Sequence, residues 1–505
     1  MKLTREQKEA IELAIDNNDN VKIIAYAGAG KTSVLKYIAE EFNKQNKRCI
    51  YLAFNRNIVD GVKNNMPCNT KVQTFNSLAF ENIDTNITSK MNRGFSLGYR
   101  NFCNIFELDE DIKFNIEKKV LNDSNMTITT LDLRRIFQIV RKTLYFYLKD
   151  DSDEIQDSHI EKAIISICCK RIQEISQESL HAVDEVNQNS LLGFIRDLSE
   201  KLWKDYHSPV GQARFKISHD VYLKLYALSG KDISYDVILF DESQDTDKVM
   251  LSILKRQPAK IIFVGDPYQQ IYDWRGAVNA IEQFEGSEAY LTQSFRFGDE
   301  IAKVANVLLE KLGAPKTLKG VDSIQSELDT QTELPEDINV VLCRTNAGLI
   351  FIALEYINRY PNKKIYAQLS INVEKIEQWF RKLEEFKKDP KTGKNDEILS
   401  NFESFKELEE YCDNFPDDEE ISSYVRLYKE GKIDLISKLL KDISLNQNNH
   451  DVLFTTVHKS KGMEWEKVLL NDDFHSLSSE SELRLMYVAV TRAKNKLYIG
   501  RGKNR

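Results

Sequence analysis

Cysteine is scarce and poorly placed for structural work. The seven cysteines of the 505-residue chain are scattered, and the only close pair, Cys168-Cys169, is adjacent rather than spaced like zinc or iron–sulfur ligands. Neither disulfides nor a structural metal are expected. No apolar run approaches the roughly 20 residues that cross a bilayer, and the polar start Met1-Lys2-Leu3-Thr4-Arg5-Glu6-Gln7 lacks the apolar segment of a signal peptide. These gaps exclude a membrane role and point to a reducing, cytoplasmic setting. A basic excess is missing too: the formal net charge is −8, which argues against a general nucleic-acid coat protein. A polynucleotide, if bound, needs basic and aromatic residues gathered in a groove. There are no internal repeats and no low-complexity tail.

What is present is a long, ordinary globular chain, 42% hydrophobic and 29% charged, expected to divide into about two to four domains. Val21 to Tyr26 is an apolar β run, Thr32 to Phe42 has helical periodicity, and Cys49 to Phe54 is a second β run, which together open a parallel α/β sheet. From about residue 82 to 231 the pattern becomes helical and charged, with Asp150-Asp151-Ser152-Asp153-Glu154 as an exposed turn. Tyr235 to Phe240 and Lys260 to Val264 are then short β runs ending near acidic residues, as strands do when they deliver a site at their carboxyl edge. Further β runs are Ile338 to Cys343, Asp451 to Val457 and Lys496 to Ile499, separated by a helical block that contains a linker-like Asp389-Pro390-Lys391-Thr392-Gly393-Lys394. The expected fold is α/β: a first lobe of residues 1–81 and 232–295, a helical insertion at 82–231, a second lobe of 296–345 and 450–505, and a second insertion at 346–449.

After the first β run comes Ala25-Tyr26-Ala27-Gly28-Ala29-Gly30-Lys31-Thr32, followed by Ser33 inside the opening helix. Backbone N–H groups in such a loop cradle phosphate, Lys31 reaches the terminal phosphates, and Thr32 offers a hydroxyl to Mg²⁺. Ala25 stands where the general pattern has its first glycine. The run Val237-Ile238-Leu239-Phe240-Asp241-Glu242 sets two carboxylates at a strand end, Asp241 to hold Mg²⁺ with Thr32 and Glu242 to orient or deprotonate water. The two segments together describe a nucleoside-triphosphate-hydrolysing P-loop site that works with Mg²⁺.

Longer segments resemble the UvrD/Rep group of superfamily 1 helicases. They are Leu3-Thr4-Arg5-Glu6-Gln7-Lys8, Tyr51-Leu52-Ala53-Phe54-Asn55-Arg56-Asn57, Thr74-Phe75-Asn76-Ser77, the stretch Val264 to Ala277, Leu291-Thr292-Gln293-Ser294-Phe295-Arg296, Thr456 to Trp465, and Glu482 to Lys494. The resemblance implies two RecA-like lobes around ATP, with ATP and Mg²⁺ as the cofactors. It implies that Gln7 reads adenine, Gln269 senses the γ-phosphate, Phe295 packs near adenine, Glu464 lies on the nucleotide side, and Arg296 and Arg492 are arginine fingers. It also implies DNA contacts by Phe54, Asn55, Thr74, Phe75, Trp274, Arg275 and His458. Phe295 replaces the more usual tyrosine, so only stacking is implied there. His219-Asp220-Val221-Tyr222-Leu223-Lys224-Leu225 and Ala53-Phe54-Asn55 resemble the F-box-type helicase branch and its bacterial and phage relatives. No F-box-like region is expected before Gln7, nor a nuclease after the last strand.

Phosphoryl transfer depends on charge stabilisation, and an arginine completing the site from a second body changes the rate by roughly 10³ to 10⁵-fold. The resemblance therefore implies a 3′-to-5′ helicase or translocase. It would act on single-stranded and duplex-junction DNA in repair, recombination or replication. It is expected to be a monomer or weak oligomer, nucleoid-associated in a prokaryote or phage-infected cell. The alternative is a nucleotide-gated regulatory or DNA-sensing subunit of a multi-protein complex, such as an anti-phage or nuclease assembly, with a nuclease or repair factor as protein partner. Core packing competes with stacking for each aromatic, most of all for Phe75. Arg484 reads as a helix-face ion pair, Tyr222 and Trp203 as packing of the insertion, and His159, His181 and His450 as surface residues without function.

Overall fold

The computed structural model describes residues 3–53, 56–109, 111–119, 126–168, 185–209, 213–272, 277–330, 333–369, 373–396, 398–399, 402–414, 419–429, 449–474, 477 and 479–499. The first lobe starts with helix α1 (Arg5–Asp16), whose Thr4 and Gln7 form a reciprocal capping box. Strand β1 (Val21–Ala25) and helix α2 (Lys31–Lys44) follow, then β2 (Cys49–Ala53), β3 (Thr70–Thr74) and α3 (Phe75–Asn82). The first insertion includes an antiparallel hairpin of β4 (Lys113–Lys119) and β5 (Met126–Asp132) and the helices α4 (Leu133–Leu148) and α5 (Glu185–His207). The chain returns through α6 (His219–Leu228), β6 (Val237–Phe240), β7 (Lys260–Gly265) and β8 (Ser287–Leu291). Together these strands build one sheet in the order β8-β1-β7-β6-β2-β3, every pair parallel. All four residues of β6 and all five of β2 are buried, as expected for a parallel sheet covered on both faces.

The second lobe has its own six-stranded sheet of β9 (Glu327–Asp329), β10 (Val340–Cys343), β11 (Ile365–Ala367), β12 (Val452–Thr456), β13 (Trp465–Leu470) and β14 (Ala493–Tyr498). Their order is β9-β14-β13-β10-β12-β11, again all parallel. Helices α7 (Asp299–Lys311), α8 (Asn346–Arg359) and α9 (Glu480–Val490) belong to this lobe.

Three expectations change. Because Ile365 pairs with Val452 and Ala367 with Phe454, residues 346–367 lie with the second sheet and its covering helix, so the second insertion begins later than 346. The first insertion is not purely helical, since residues 113–119 pair residue by residue with 126–132 in an antiparallel ladder. The 389–394 stretch is a packed 3₁₀ turn rather than a linker: it spans Pro390–Asn395, and a Cβ on Gly393 would lie 2.7 Å from the Phe386 ring.

One apolar cluster runs from Tyr26, Phe240 and Phe263 of the first lobe into Leu342, Val457 and Val488 of the second, so the lobes meet over a shared core. The insertions also meet. Arg134 pairs with Glu403 at 3.0 Å, and Arg141 Nη1 donates to Tyr411 Oη at 2.8 Å.

Candidate nucleotide site

The site begins at the end of β1. Ala25 is the last strand residue, fully buried and in register with Leu291, so its backbone is extended and no glycine is required there. Gly28 and Gly30 do need their freedom, with φ of +74° and +79°. A Cβ on Gly28 would overlap Ser294 Oγ and lie 2.8 Å from Arg296 Cβ, and one on Gly30 would lie 2.9 Å from Gln7 Nε2 and 3.7 Å from the Phe295 ring. The loop is thus clasped between Gln7 and the Ser294-Phe295-Arg296 segment. Gln7 Nε2 donates to Ala29 O at 3.3 Å, and Phe295 N–H donates to Gly28 O at 2.8 Å. Thr32 and Ser33 are exposed on the first turn of α2.

Opposite the loop, Asp241 and Glu242 leave the end of β6. Glu242 is held in the left-handed region at φ +53°, uncommon for a residue with a Cβ. Its Oε1 takes the Lys31 ammonium at 2.7 Å, and its Oε2 accepts from Gln244 Nε2 at 2.5 Å. Burial would raise the Glu242 carboxyl, but Lys31, with Lys461 adding, brings it below its ordinary value. Asp241 moves the other way, raised by burial and by the Glu242 charge, while Tyr51 donates to its Oδ2. The two neighbouring carboxyls are thus shifted in opposite directions, Glu242 down by its cations and Asp241 up by burial.

The second lobe completes the cleft. Arg492, 1% exposed, places Nη2 at 3.1 Å from Gln269 Oε1, and Gln269 Nε2 donates to Asp266 Oδ2 at 2.7 Å. Tyr487, on α9 five residues before Arg492, donates to Asp266 Oδ2 at 3.2 Å and accepts from the Ala27 N–H of the phosphate loop at 3.2 Å. Burial pushes the Asp266 carboxyl up to about 6. Lys461 reaches across to Asp245, at 2.6 and 2.8 Å from its two oxygens, and to Gln269 O at 2.6 Å. Arg296 lies close by: Nε meets Glu464 Oε2 at 2.5 Å and Nη1 donates to Thr491 O at 2.8 Å. Lys494 joins Glu464 at 3.0 Å.

Of the residues singled out from sequence, Gln7, Ala27, Gly28, Ala29, Gly30, Lys31, Thr32, Ser33, Asp241, Glu242, Gln269, Phe295, Arg296, Glu464 and Arg492 gather along this seam. Tyr51, Asp245, Asp266, Lys461 and Tyr487 were not singled out, although four of them lie within the segments that carried the resemblance and Asp245 follows the Asp241-Glu242 pair by three residues. For Tyr51 and Tyr487, a hydroxyl between apolar neighbours was the available signal; Asp245, Asp266 and Lys461 have no such flanks.

The polynucleotide assignments fare unevenly. Phe75 is fully buried, its ring 5.9 Å from Phe240 in an edge contact, so it packs the first lobe instead of facing a strand. Thr74 caps α3, accepting from Ser77 N–H at 3.0 Å. His458 is half-buried, its carbonyl accepting from Tyr272 Oη at 3.1 Å. Phe54, Asn55, Trp274 and Arg275 lie outside the described residues, as does His181. His159 is no surface residue: it is 2% exposed, accepting from Gln156 N–H at 3.0 Å and lying near Asp150. His450 is half-buried. Tyr222 packs between Phe80 and His219 in the first-lobe core, Trp203 meets Tyr147 edge-on, and Arg484 pairs with Glu480 at 3.1 Å.

No helix among the described residues is long and apolar enough to cross a membrane. Among known families, the AAA domain matches residues 7–275 and the UvrD-like helicase C-terminal domain matches residues 451–499. F-box DNA helicase 1 of Gallus gallus is 29% identical over 98% of this chain and 48% of its own length. F-box DNA helicase protein 1 of Schizosaccharomyces pombe is 27% identical over 98% of this chain and 57% of its own. Gabija protein GajB of Bacillus cereus is 26% identical over 58% of this chain and 69% of its own. The chain spans about half the length of the two F-box relatives. Two parallel-sheet lobes with a phosphate loop and second-lobe arginines at their seam, matched by family models over most of the chain, place it in the UvrD/Rep-like group of superfamily 1 helicases.

Proposed function

We propose that this chain is an ATP-driven DNA helicase or translocase that moves 3′ to 5′ on single-stranded DNA inside the cell, separating duplexes or displacing bound proteins in repair, recombination or replication. The observation that carries the reading is Arg492 at 3.1 Å from Gln269, beside a phosphate loop more than 450 residues earlier in the chain. A pocket assembled from such distant halves makes hydrolysis depend on lobe closure. Lys31 would bind terminal phosphate after releasing Glu242, Glu242 would then orient water, and Arg296 and Arg492 would meet charge developing on the phosphoryl group. The buried Asp241 carboxylate and the exposed Thr32 hydroxyl fit a hard cation that takes its other oxygens from phosphate and water. Bound there, Mg²⁺ supplies charge neutralisation on the phosphate oxygens.

The test is steady-state ATP turnover with and without single-stranded DNA, joined to strand displacement on substrates with 3′ or 5′ overhangs. Stimulated turnover and displacement from the 3′ overhang are expected, with Arg492→Ala abolishing both. The match to Gabija protein GajB favours the second reading, a nucleotide-gated subunit of a larger complex with little unwinding of its own. Turnover that ignores single-stranded DNA would support that reading over the motor.

A further inference from the structure

Two short stretches of the first insertion run against the acidic balance of the chain. Residues 92–100 and 213–219 contain no Asp or Glu and carry Arg93, Arg100, Arg214 and Lys216, although acidic residues outnumber Lys and Arg by 78 to 70 overall. The fold lays the stretches side by side. Phe95 N–H donates to Arg214 O at 2.7 Å, Lys216 N–H donates to Phe95 O at 3.0 Å, and Phe95 and Phe215 form a parallel bridge. Gly94 permits the approach: its φ is +115°, and a Cβ there would lie 2.8 Å from Arg214 O and 3.0 Å from Phe215 C.

What lies beneath is firmly built. Phe215 is fully buried against the Phe106 ring, and the Asp205 carboxylate accepts from Arg214 N–H at 2.8 Å and Phe215 N–H at 3.0 Å. What lies outside is the opposite. Phe95 is 57% exposed, the most of any large hydrophobic residue among those described, and Arg93, Arg214 and Lys216 are exposed beside it in sequence or across the bridge. A protein partner would call for a contiguous apolar patch. A lone outward ring with cations on either side suits a base stacked on its face with phosphates beside it.

We propose that Phe95, with Arg93, Arg214 and Lys216, is a stacking platform for single-stranded nucleic acid, separate from the cleft between the lobes. It builds on the motor reading and adds a second hold on the strand. The experiment uses the full chain and fluorescein-labelled oligothymidylate, one length short enough to fill only the cleft and one long. Phe95→Ala weakens the long oligonucleotide about tenfold and leaves the short one and DNA-free ATP turnover unchanged, while Phe95→Trp restores binding. Arg214→Glu with Lys216→Glu reduces the salt slope for the long oligonucleotide by about two. The platform is refuted if Phe95→Ala, with unchanged near-ultraviolet circular dichroism, binds the long oligonucleotide as tightly as wild type. It is refuted equally if poly-glutamate or blunt duplex competes as well as the single strand. Wild type that binds no oligonucleotide of either length would instead overturn the motor reading.

Discussion

The Tyr487 hydroxyl touches the phosphate loop and Asp266 at once, and Asp266 holds Gln269, which holds Arg492. Removing one oxygen therefore loosens a relay while leaving the ring and its packing in place. Tyr487→Phe is expected to lower kcat for DNA-stimulated ATP turnover about tenfold, in line with ~1.4 kcal/mol for an unpaired buried group, with KM for ATP changed less than about twofold. Combining it with Asp266→Asn tests the relay, since residues acting through one another give non-additive losses. Asp266 carries its own signature. Its folded carboxyl sits at about 6 against an ordinary 3.8, so the native state holds its proton more tightly than the unfolded chain does. Stability from this group is fully present below about pH 4 and is lost as pH rises through 6. Asp266→Asn, neutral at every pH, should gain on wild type by on the order of 3 kcal/mol between pH 4 and 7 in urea midpoints. A pH-independent difference would contradict the assignment.

Among the elements, a recurrent device is a basic side chain closing a helix C-terminus. Lys90 donates to the carbonyls of Asp205, Tyr206 and Ser208 at 2.5, 3.0 and 3.2 Å, where α5 ends. Arg256 donates to Tyr226 O and Ala227 O at 3.2 and 2.5 Å at the end of α6, and Lys260 donates to Ala14 O and Asn17 O at the end of α1. Each ammonium or guanidinium meets carbonyls that have no intrahelical donor, at the negative end of the helix dipole. Lys90→Met keeps the length of the side chain but leaves the Tyr206 and Ser208 carbonyls without this donor, so a loss of about 2 to 3 kcal/mol is expected, with faster amide exchange confined to the last turn of α5. None of these caps was legible in the sequence, because each donor lies tens to hundreds of residues from the helix it closes. The strands themselves were legible where they formed apolar runs, unbroken in β2, β6 and β10 and interrupted only by Lys22 in β1. Strands β3, β8, β11 and β13 mix polar residues into edge or partly covered positions and gave no such run. The 113–132 hairpin was hidden for the same reason, being short, charged and without a tight two-residue turn signal.

Across the whole molecule, the nucleotide site was legible because its chemistry lies in short segments of fixed residue type. The strand contacts were less so, since an aromatic in a DNA-contacting segment looks the same in sequence whether it faces out or, like Phe75, inward. Lys461 ties the second lobe to the first through an ion pair with Asp245, whose carboxyl is pushed up to about 6 by burial despite that pair. Lys461→Ala leaves Asp245 buried without its partner, a change that costs on the order of 3 to 5 kcal/mol. The separated lobes should appear as a larger radius of gyration in solution scattering, and an unchanged radius would mean that the shared apolar core alone holds them. The lysines also differ in what would uncover them. Lys461 is shielded by the meeting of two bodies, whereas Lys90 and Lys224, 2% and 1% exposed, are shielded inside one. Brief treatment with an amine-acylating reagent should therefore mark Lys461 whenever the lobes part, and leave Lys90 and Lys224 unmarked until the first insertion itself comes apart.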